Sequence, residues 1–131
     1  MIDPGRATLV EAAAALANGE LSSEELTSAC LARAHRLNPT LNCFLRIEDE
    51  AALAAARRAD LARARARARG LSLGVLHGVP IAVKDMFYDP DRETSSGSRI
   101  RQGFRGATTA VALARLEAAG GVVLGALHMT E

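Results

Sequence analysis

The sequence predicts an α/β fold, with N-terminal helices followed by part of a mixed β-sheet flanked by helices. Three observations predict it. Alanine fills 27 of the 131 positions while Phe, Tyr and Trp together supply 3%, a balance that suits closely packed helices and argues against an aromatic-rich β-sandwich. Apolar residues recur at helical spacing through the first half of the chain. The second half carries short continuous apolar runs at 79–83 and 122–125, bounded by glycines, as in strands buried within a sheet.

The first helix runs from a Thr8 cap through Leu9, Ala12, Ala13 and Leu16 and stops at Asn18-Gly19, a helix-ending pair. Ser22 or Ser23 opens the second, with Glu25 or Glu24 in capping-box reach. Leu26, Ala29, Cys30, Ala34 and Leu37 keep helical spacing, and Asn38-Pro39 is expected to end the helix. Residues 41–47 alternate Cys43, Leu45 and Ile47 with Asn42, Phe44 and Arg46, which predicts a short strand.

Glu48, Asp49 and Glu50 then place negative charge at the start of a long Ala-rich helix reaching Arg69, and Gly70 stops it. Residues 62–69 alternate Ala and Arg with period two. Both residue types favour helix and Ala is a poor strand former, so the helix prevails. Its arginines spread around the circumference and predict a solvated end. Contact with RNA or another polyanion is the alternative, weakened by the absence of interleaved aromatic residues to stack on bases.

After the glycine-containing loop at 71–78, Val79-Pro80-Ile81-Ala82-Val83 predicts a buried strand, with Pro80 tolerated near its start. Thr108 or Thr109 is expected to cap a helix through Val111, Leu113, Leu116 and Ala119. Gly120-Gly121 ends it and Val122-Val123-Leu124-Gly125 forms a second strand. Strand, helix, strand at this spacing is a βαβ-type crossover. The domain organisation is one domain in two parts, a helical scaffold over 1–69 and a strand with its following αβ unit over 70–131. A lone crossover leaves sheet edges and faces uncovered, so the chain reads as the leading portion of a larger domain.

Composition narrows the function classes. The chain carries 16 basic and 15 acidic residues, a net charge of +1, and is 49% apolar, enough to bury a core. No apolar run approaches the roughly 18 residues of a membrane span, and Asp3 and Glu11 stand where a secretion signal needs positive charge. A soluble, cytoplasmic protein without membrane contact is expected. Cys30 and Cys43 are too few for a disulfide framework and lack metal spacing. His35, His77 and His128 have no partner at ligand spacing, so no metal is expected. There is no Walker loop and no Gly-x-Gly-x-x-Gly, so no nucleotide or other cofactor is expected.

Lys84 is the only lysine beside fifteen arginines. Arginine keeps its proton in water, whereas a lysine in a low-dielectric site can lose it and serve as a base or nucleophile. One stray lysine among sixteen basic residues is also what chance provides. Asp85 follows it in sequence and points to the opposite face on a strand; it tunes Lys84 or serves as a loop carboxylate. Thr94-Ser95-Ser96-Gly97-Ser98 can present hydroxyls and N–H groups to an anion, or be an ordinary turn.

Gly74-Val75-Leu76-His77-Gly78-Val79-Pro80-Ile81-Ala82-Val83-Lys84-Asp85 closely resembles the segment that carries the catalytic lysine in the amidase signature family. The 94–98 stretch is similar to that family's Thr-rich Gly-Ser turn. Residues 107–131, with Ala-Gly-Gly-Val-Val-Leu-Gly and His-Met-Thr-Glu, resemble the helix, strand and Asn-Met-x-Glu stretch that follow. The likeness is strong from Gly70 to Glu131, while the first 69 residues agree only in helical layout. Ala126-Leu127-His128 stands where many members have Lys-Thr-Asn.

The resemblance implies a large mixed sheet wrapped by helices, several times longer than this chain. It also implies hydrolysis of carbon–nitrogen amide bonds through a Ser–cis-Ser–Lys triad, with Lys84 as the base. Both triad serines lie C-terminal to the matched region, and Ser95, Ser96 and Ser98 belong to an earlier stretch. These 131 residues are therefore expected to be inactive alone, holding the base without the nucleophile. The implied partner is a small-molecule amide. The alternative within the family is the glutaminase subunit of a tRNA-dependent amidotransferase, where nucleic acid enters only indirectly. Outside it stand a polyanion-binding module and a truncated product with no function.

Overall fold

In a computed structural model, Asp3 and residues 6–129 are described; Thr130 and Glu131, the end of the His-Met-Thr-Glu stretch, lie outside the described residues. The chain forms helices α1 (Leu9–Asn18) and α2 (Ser23–Leu41), strand β1 (Phe44–Ile47), helix α3 (Asp49–Ala68), strand β2 (Pro80–Lys84), a 3-10 turn (Arg99–Arg101), helix α4 (Val111–Ala118) and strand β3 (Val122–Leu127). The expected α/β class, with helices first and a mixed sheet after them, is what the chain adopts.

Local capping starts the first two helices. Thr8 and Glu11 form a reciprocal capping box on α1, and Ser22 and Glu25 form another on α2. Gly19, in the left-handed region at φ 77°, closes α1. The α2 helix does not stop at Asn38-Pro39: it runs to Leu41, and Asn42 donates its N–H to the Asn38 carbonyl at 2.7 Å. Proline's fixed φ is itself helical, so one missing N–H near a helix end removes a bond without breaking the last turn. Asn38 is held instead by exchanging hydrogen bonds with the Phe44 backbone.

The three strands form one sheet in the order β1-β3-β2, β1 antiparallel and β2 parallel to β3. The parallel β2–β3 pair with α4 between them is the expected crossover. Strand β3 is buried, but β2, at the edge, is only half-buried along its length. The strand at 41–47 is shorter than its alternation suggests. A register shift between Phe44 and Arg46 turns both Phe44 and Ile47 onto the core, leaving Cys43 and Leu45 exposed. An extra residue of this kind is what defeats a period-two pattern.

The α2 and α3 helices pack against each other, and α3 lies against β3. One buried cluster gathers Leu31, Ala52, Ala56, Val122 and Leu124; the other joins Ala12, Leu16, Leu26 and Val79. Each fully buried leucine contributes roughly 2 kcal/mol. The small α3 alanines let α2 and the sheet approach closely. Helix α4 starts at Val111, without a side-chain cap, and not at Thr108 or Thr109. The Ala110 N–H is instead taken by the Tyr88 carbonyl at 2.7 Å.

The arginine-rich end of α3 is solvated only in part. Arg57 pairs with Glu24 at 2.7 Å, Arg63 donates to the His77 carbonyl at 2.6 Å and Arg67 to the Ala17 carbonyl at 3.0 Å. Burial, set against the charge of Asp60, lowers the pKa of Arg63. Arg58, Arg65 and Arg69 remain exposed. Half of the run thus ties α3 to α1, α2 and the loop before β2, which diminishes the surface a polyanion could use. Among the described residues no helix is long and apolar enough to cross a membrane.

Candidate functional site

The site is built where β2 ends. Lys84 is the last residue of β2, half-buried, and pairs with Leu127 of the central strand. Its carbonyl accepts from Met86 and Phe87, so the chain turns immediately after it. Among the described residues, Lys84 makes no ion pair and no side-chain hydrogen bond.

Asp85 is fixed far more tightly, at 2% exposure. Its N–H bonds the Leu127 carbonyl at 3.0 Å and extends the β2–β3 ladder by one step. Its Oδ2 accepts from the Ser95 N–H at 3.0 Å, the Ser95 hydroxyl at 2.5 Å and the Ser96 N–H at 3.1 Å. Its Oδ1 accepts from the Arg46 guanidinium at 3.1 Å, which also donates to the Glu93 carbonyl. Asp85 thus serves as a loop carboxylate that caps the turn's N–H groups, and makes no side-chain hydrogen bond or ion pair with Lys84. It anchors the turn at 94–98.

That turn spends most of its N–H groups on its own surroundings. Ser95 and Ser96 direct theirs to Asp85, and the Ser98 N–H goes to the Ser95 carbonyl at 2.9 Å. Ser96 (φ 53°) and Gly97 (φ 71°) both adopt the left-handed backbone, which wraps the segment around the carboxylate. Thr94, at 1% exposure, ties the turn to its surroundings: its N–H bonds the Phe104 carbonyl at 2.8 Å and its hydroxyl the Phe87 carbonyl at 3.2 Å.

Beside the turn, a cleft of about 390 Å³ is lined by Arg46, Glu93, Ser95, Ser98, Arg99 and His128 among others. Lys84 is not in its wall. The three histidines stay apart: His35 pairs with Asp49 at 2.8 Å, His77 contacts the Ala59 carbonyl at 2.9 Å, and His128 borders the cleft. Among the described residues no three His, Cys, Asp or Glu side chains converge as a metal site would need.

Two participants escape sequence reasoning. Arg46 is an ordinary strand residue until the fold brings it to Asp85, 39 positions away. Arg92, in a turn-rich stretch, contacts Glu48 at 3.0 Å, Asp89 at 2.7 Å and Glu117 at 3.0 Å. Burial pulls the Arg92 pKa down, but the hydrogen bond to Glu117 and the charges of Glu48, Asp89 and Glu117 outweigh it and raise the pKa. Arg46 carries no local sequence signal, and of the three Arg92 partners only Asp89, three positions away, is near in the chain.

A family model described as Amidase matches residues 25–131. The A-type subunit of glutamyl-tRNA(Gln) amidotransferase from Chloroflexus aurantiacus is 47% identical over 124 residues, covering 95% of this chain and 25% of its own length. Among solved structures, a native peptide amidase from Stenotrophomonas maltophilia superposes with a TM-score of 0.79 at 35% identity, covering 93% of this chain and 24% of that one. A protein from a vestigial complex that bears on the origins of an s-triazine catabolic enzyme superposes with a TM-score of 0.85 at 34% identity, covering 95% and 27%. This chain spans about a quarter of the length of the curated relatives it matches.

Proposed function

This chain belongs to the amidase family, and from that premise we propose that it is the lysine-bearing part of a hydrolase that cleaves carbon–nitrogen amide bonds. The observation that carries the proposal is the placement of the single lysine. Lys84 closes a strand inside the segment that resembles the family's catalytic-lysine region, half-buried and without a counter-ion among the described residues.

In this proposal Lys84 acts as the base. It takes the proton of a bridging serine, which in turn takes the proton of the nucleophilic serine as that oxygen attacks the amide carbon. The carbon–nitrogen bond breaks, the nitrogen leaves as ammonia or an amine carrying the returned proton, and water hydrolyses the acyl-ester. The two serines are not Ser95, Ser96 or Ser98. The Ser95 hydroxyl and the Ser95 and Ser96 N–H groups hold Asp85, and the turn's role is architectural. Residues 1–131 by themselves are accordingly expected to turn over no amide. A cytoplasmic location and a small-molecule amide substrate belong to the same proposal.

The test is turnover of a panel of small amides by the complete gene product and by its Lys84→Ala variant. Loss of about three orders of magnitude in kcat supports the proposal, on the scale seen when a catalytic base is removed; near-parental turnover would sink it. A second reading has its own observation. The 47% identity to the A-type subunit of an amidotransferase supports a glutaminase that delivers ammonia to a partner. Ammonia release from glutamine that requires added partner proteins would select this reading, and release without them would favour a free-standing amidase.

A further inference from the structure

We infer that Asp85 is a positioning residue for the reaction assigned to Lys84: with Arg46 as its counter-charge, it locks the turn at 94–98 to the strand end that carries the lysine. The inference rests on the proposed role of Lys84 and adds to it a residue that touches no substrate.

The chemistry of the pocket around Asp85 is one-sided. All four side-chain contacts come from donors: the Ser95 N–H, the Ser95 hydroxyl, the Ser96 N–H and the Arg46 guanidinium. A carboxylate satisfies all of them at once, having only acceptor sites. An amide of the same shape offers one acceptor oxygen and turns two new N–H donors toward groups that already donate. Only the Ser95 hydroxyl can reverse its role. At 2% exposure, water has no room to repair the mismatch.

The same residue also sets the main chain beside the lysine. The Asp85 N–H continues the ladder onto the Leu127 carbonyl, and the Asp85 carbonyl accepts from Ser96 at 3.0 Å. Ser96 thus bonds both the backbone and the side chain of Asp85, so the turn and the strand end move together. Lys84, one residue back, is paired with Leu127, the same residue whose carbonyl takes the Asp85 N–H. A proton transfer depends steeply on where the accepting nitrogen sits, and a displacement of about 1 Å costs up to a hundredfold in rate. Holding the strand end rigid is therefore a catalytic contribution made through Lys84 and not through contact with the amide.

The experiment uses the complete protein and a small amide it hydrolyses, with Lys84→Ala as the reference. Asp85→Asn is expected to lower kcat roughly ten- to a hundredfold with KM within about twofold, and to lower the melting temperature while the protein stays folded at the assay temperature. Arg46→Met added to Asp85→Asn should cost little more, because the two act as one unit. Ser95→Ala, which removes one hydrogen bond and leaves both N–H contacts, should lower kcat by a smaller factor. It decides the matter if Asp85→Asn fails to fold. Parental kcat in Asp85→Asn beside an inactive Lys84→Ala would overturn the inference and leave the base assignment standing. A loss in folded Asp85→Asn carried by KM and not by kcat, or parental kcat in Ser95→Ala where Asp85→Asn does not fold, would also overturn it as a purely structural role. An active Lys84→Ala would overturn the base assignment, and Asp85's positioning role with it.

Discussion

Gly125 lies so close to Arg46 that a Cβ built on it would overlap the Arg46 carbonyl oxygen, and its φ of +148° is one that side chains rarely adopt. The contact falls where both ladders slip. The β1 register shifts between Phe44 and Arg46, and the β2 register shifts between Ile81 and Val83, opposite the stretch of β3 that contains Gly125. A glycine inside a strand commonly marks such a bulge or close backbone approach. Here it lets β1 approach closely enough for the Arg46 side chain to reach Asp85.

Gly125→Ala is therefore expected to destabilise the protein by roughly 2–4 kcal/mol, the range of a strained backbone combined with a core clash. Denaturant unfolding of the parent and variant checks it. A change below about 0.5 kcal/mol, the scale of an indifferent surface substitution, would show that β1 yields without cost. Because the clash falls on Arg46, amide turnover should drop more in this variant than stability alone explains.

Arg92 holds three carboxylates, from the end of β1, the turn after β2 and helix α4. Its side chain is 23% exposed and that of Asp89 7%. Arg92→Met removes the only cation in these three ion pairs and leaves Asp89 buried with uncompensated charge. The expected loss lies between the ~1 kcal/mol of an exposed pair and the ~3–5 kcal/mol of a fully buried one. Adding salt should narrow the gap between parent and variant through the more exposed Glu117 partner. Thermal melts at low and high salt test both statements, and equal melting temperatures would refute them.

What the sequence discloses follows the range of the interactions. The Thr8 cap and the Ser22–Glu25 box span three residues and form as expected, and Glu11 completes a further box at Thr8. The β2–α4–β3 crossover is also legible, because apolar runs and glycine stops are local features, and so is Lys84 at the end of β2. The Arg46–Asp85 pair spans 39 residues, and the Arg92 contacts to Glu48 and Glu117 span 44 and 25. Such pairs exist only once the sheet register is set, and the register depends on two bulges that no alternation announces. Thr108 and Thr109 fail as caps for the same reason: the Tyr88 carbonyl, over twenty positions away, takes the N–H that a cap would otherwise organise.

The two cysteines should differ in reactivity. Burial raises the Cys30 thiol pKa, and the nearby positive charge of Arg33 offsets this only in part. Cys43 is exposed, just ahead of β1. Because the thiolate is the reacting species, Cys43 should be alkylated by iodoacetamide at pH 8 well before Cys30 in the folded protein. Mass spectrometry of timed samples reads the order, and denaturant should abolish the difference. Equal rates without denaturant would mean that the α2 face carrying Cys30 opens freely.

Acid should loosen α2 from its N-terminus. The Ser22 N–H and then its hydroxyl, both donating to the Glu25 carboxylate, hold the Glu25 pKa below its ordinary value, outweighing a slight effect of burial. A carboxyl depressed in the folded state adds stability above the unfolded pKa of about 4.3, and that stability is lost as pH falls through the folded value. The window therefore opens near pH 4 and extends downward. Carboxyl NMR titration should place Glu25 below an ordinary glutamate. Ser22→Ala should move it back toward that value while costing about 1 kcal/mol as a lost cap. The consequence reaches the site, since the next residue, Ser23, donates its hydroxyl to the Gly78 carbonyl at 2.7 Å, just ahead of β2. Fraying at Ser22 in acid thus slackens the approach to the Lys84 strand, and hydrogen exchange around Gly78 should rise with α2 opening. Exchange there that stays constant through the Glu25 titration would show that the two are not linked.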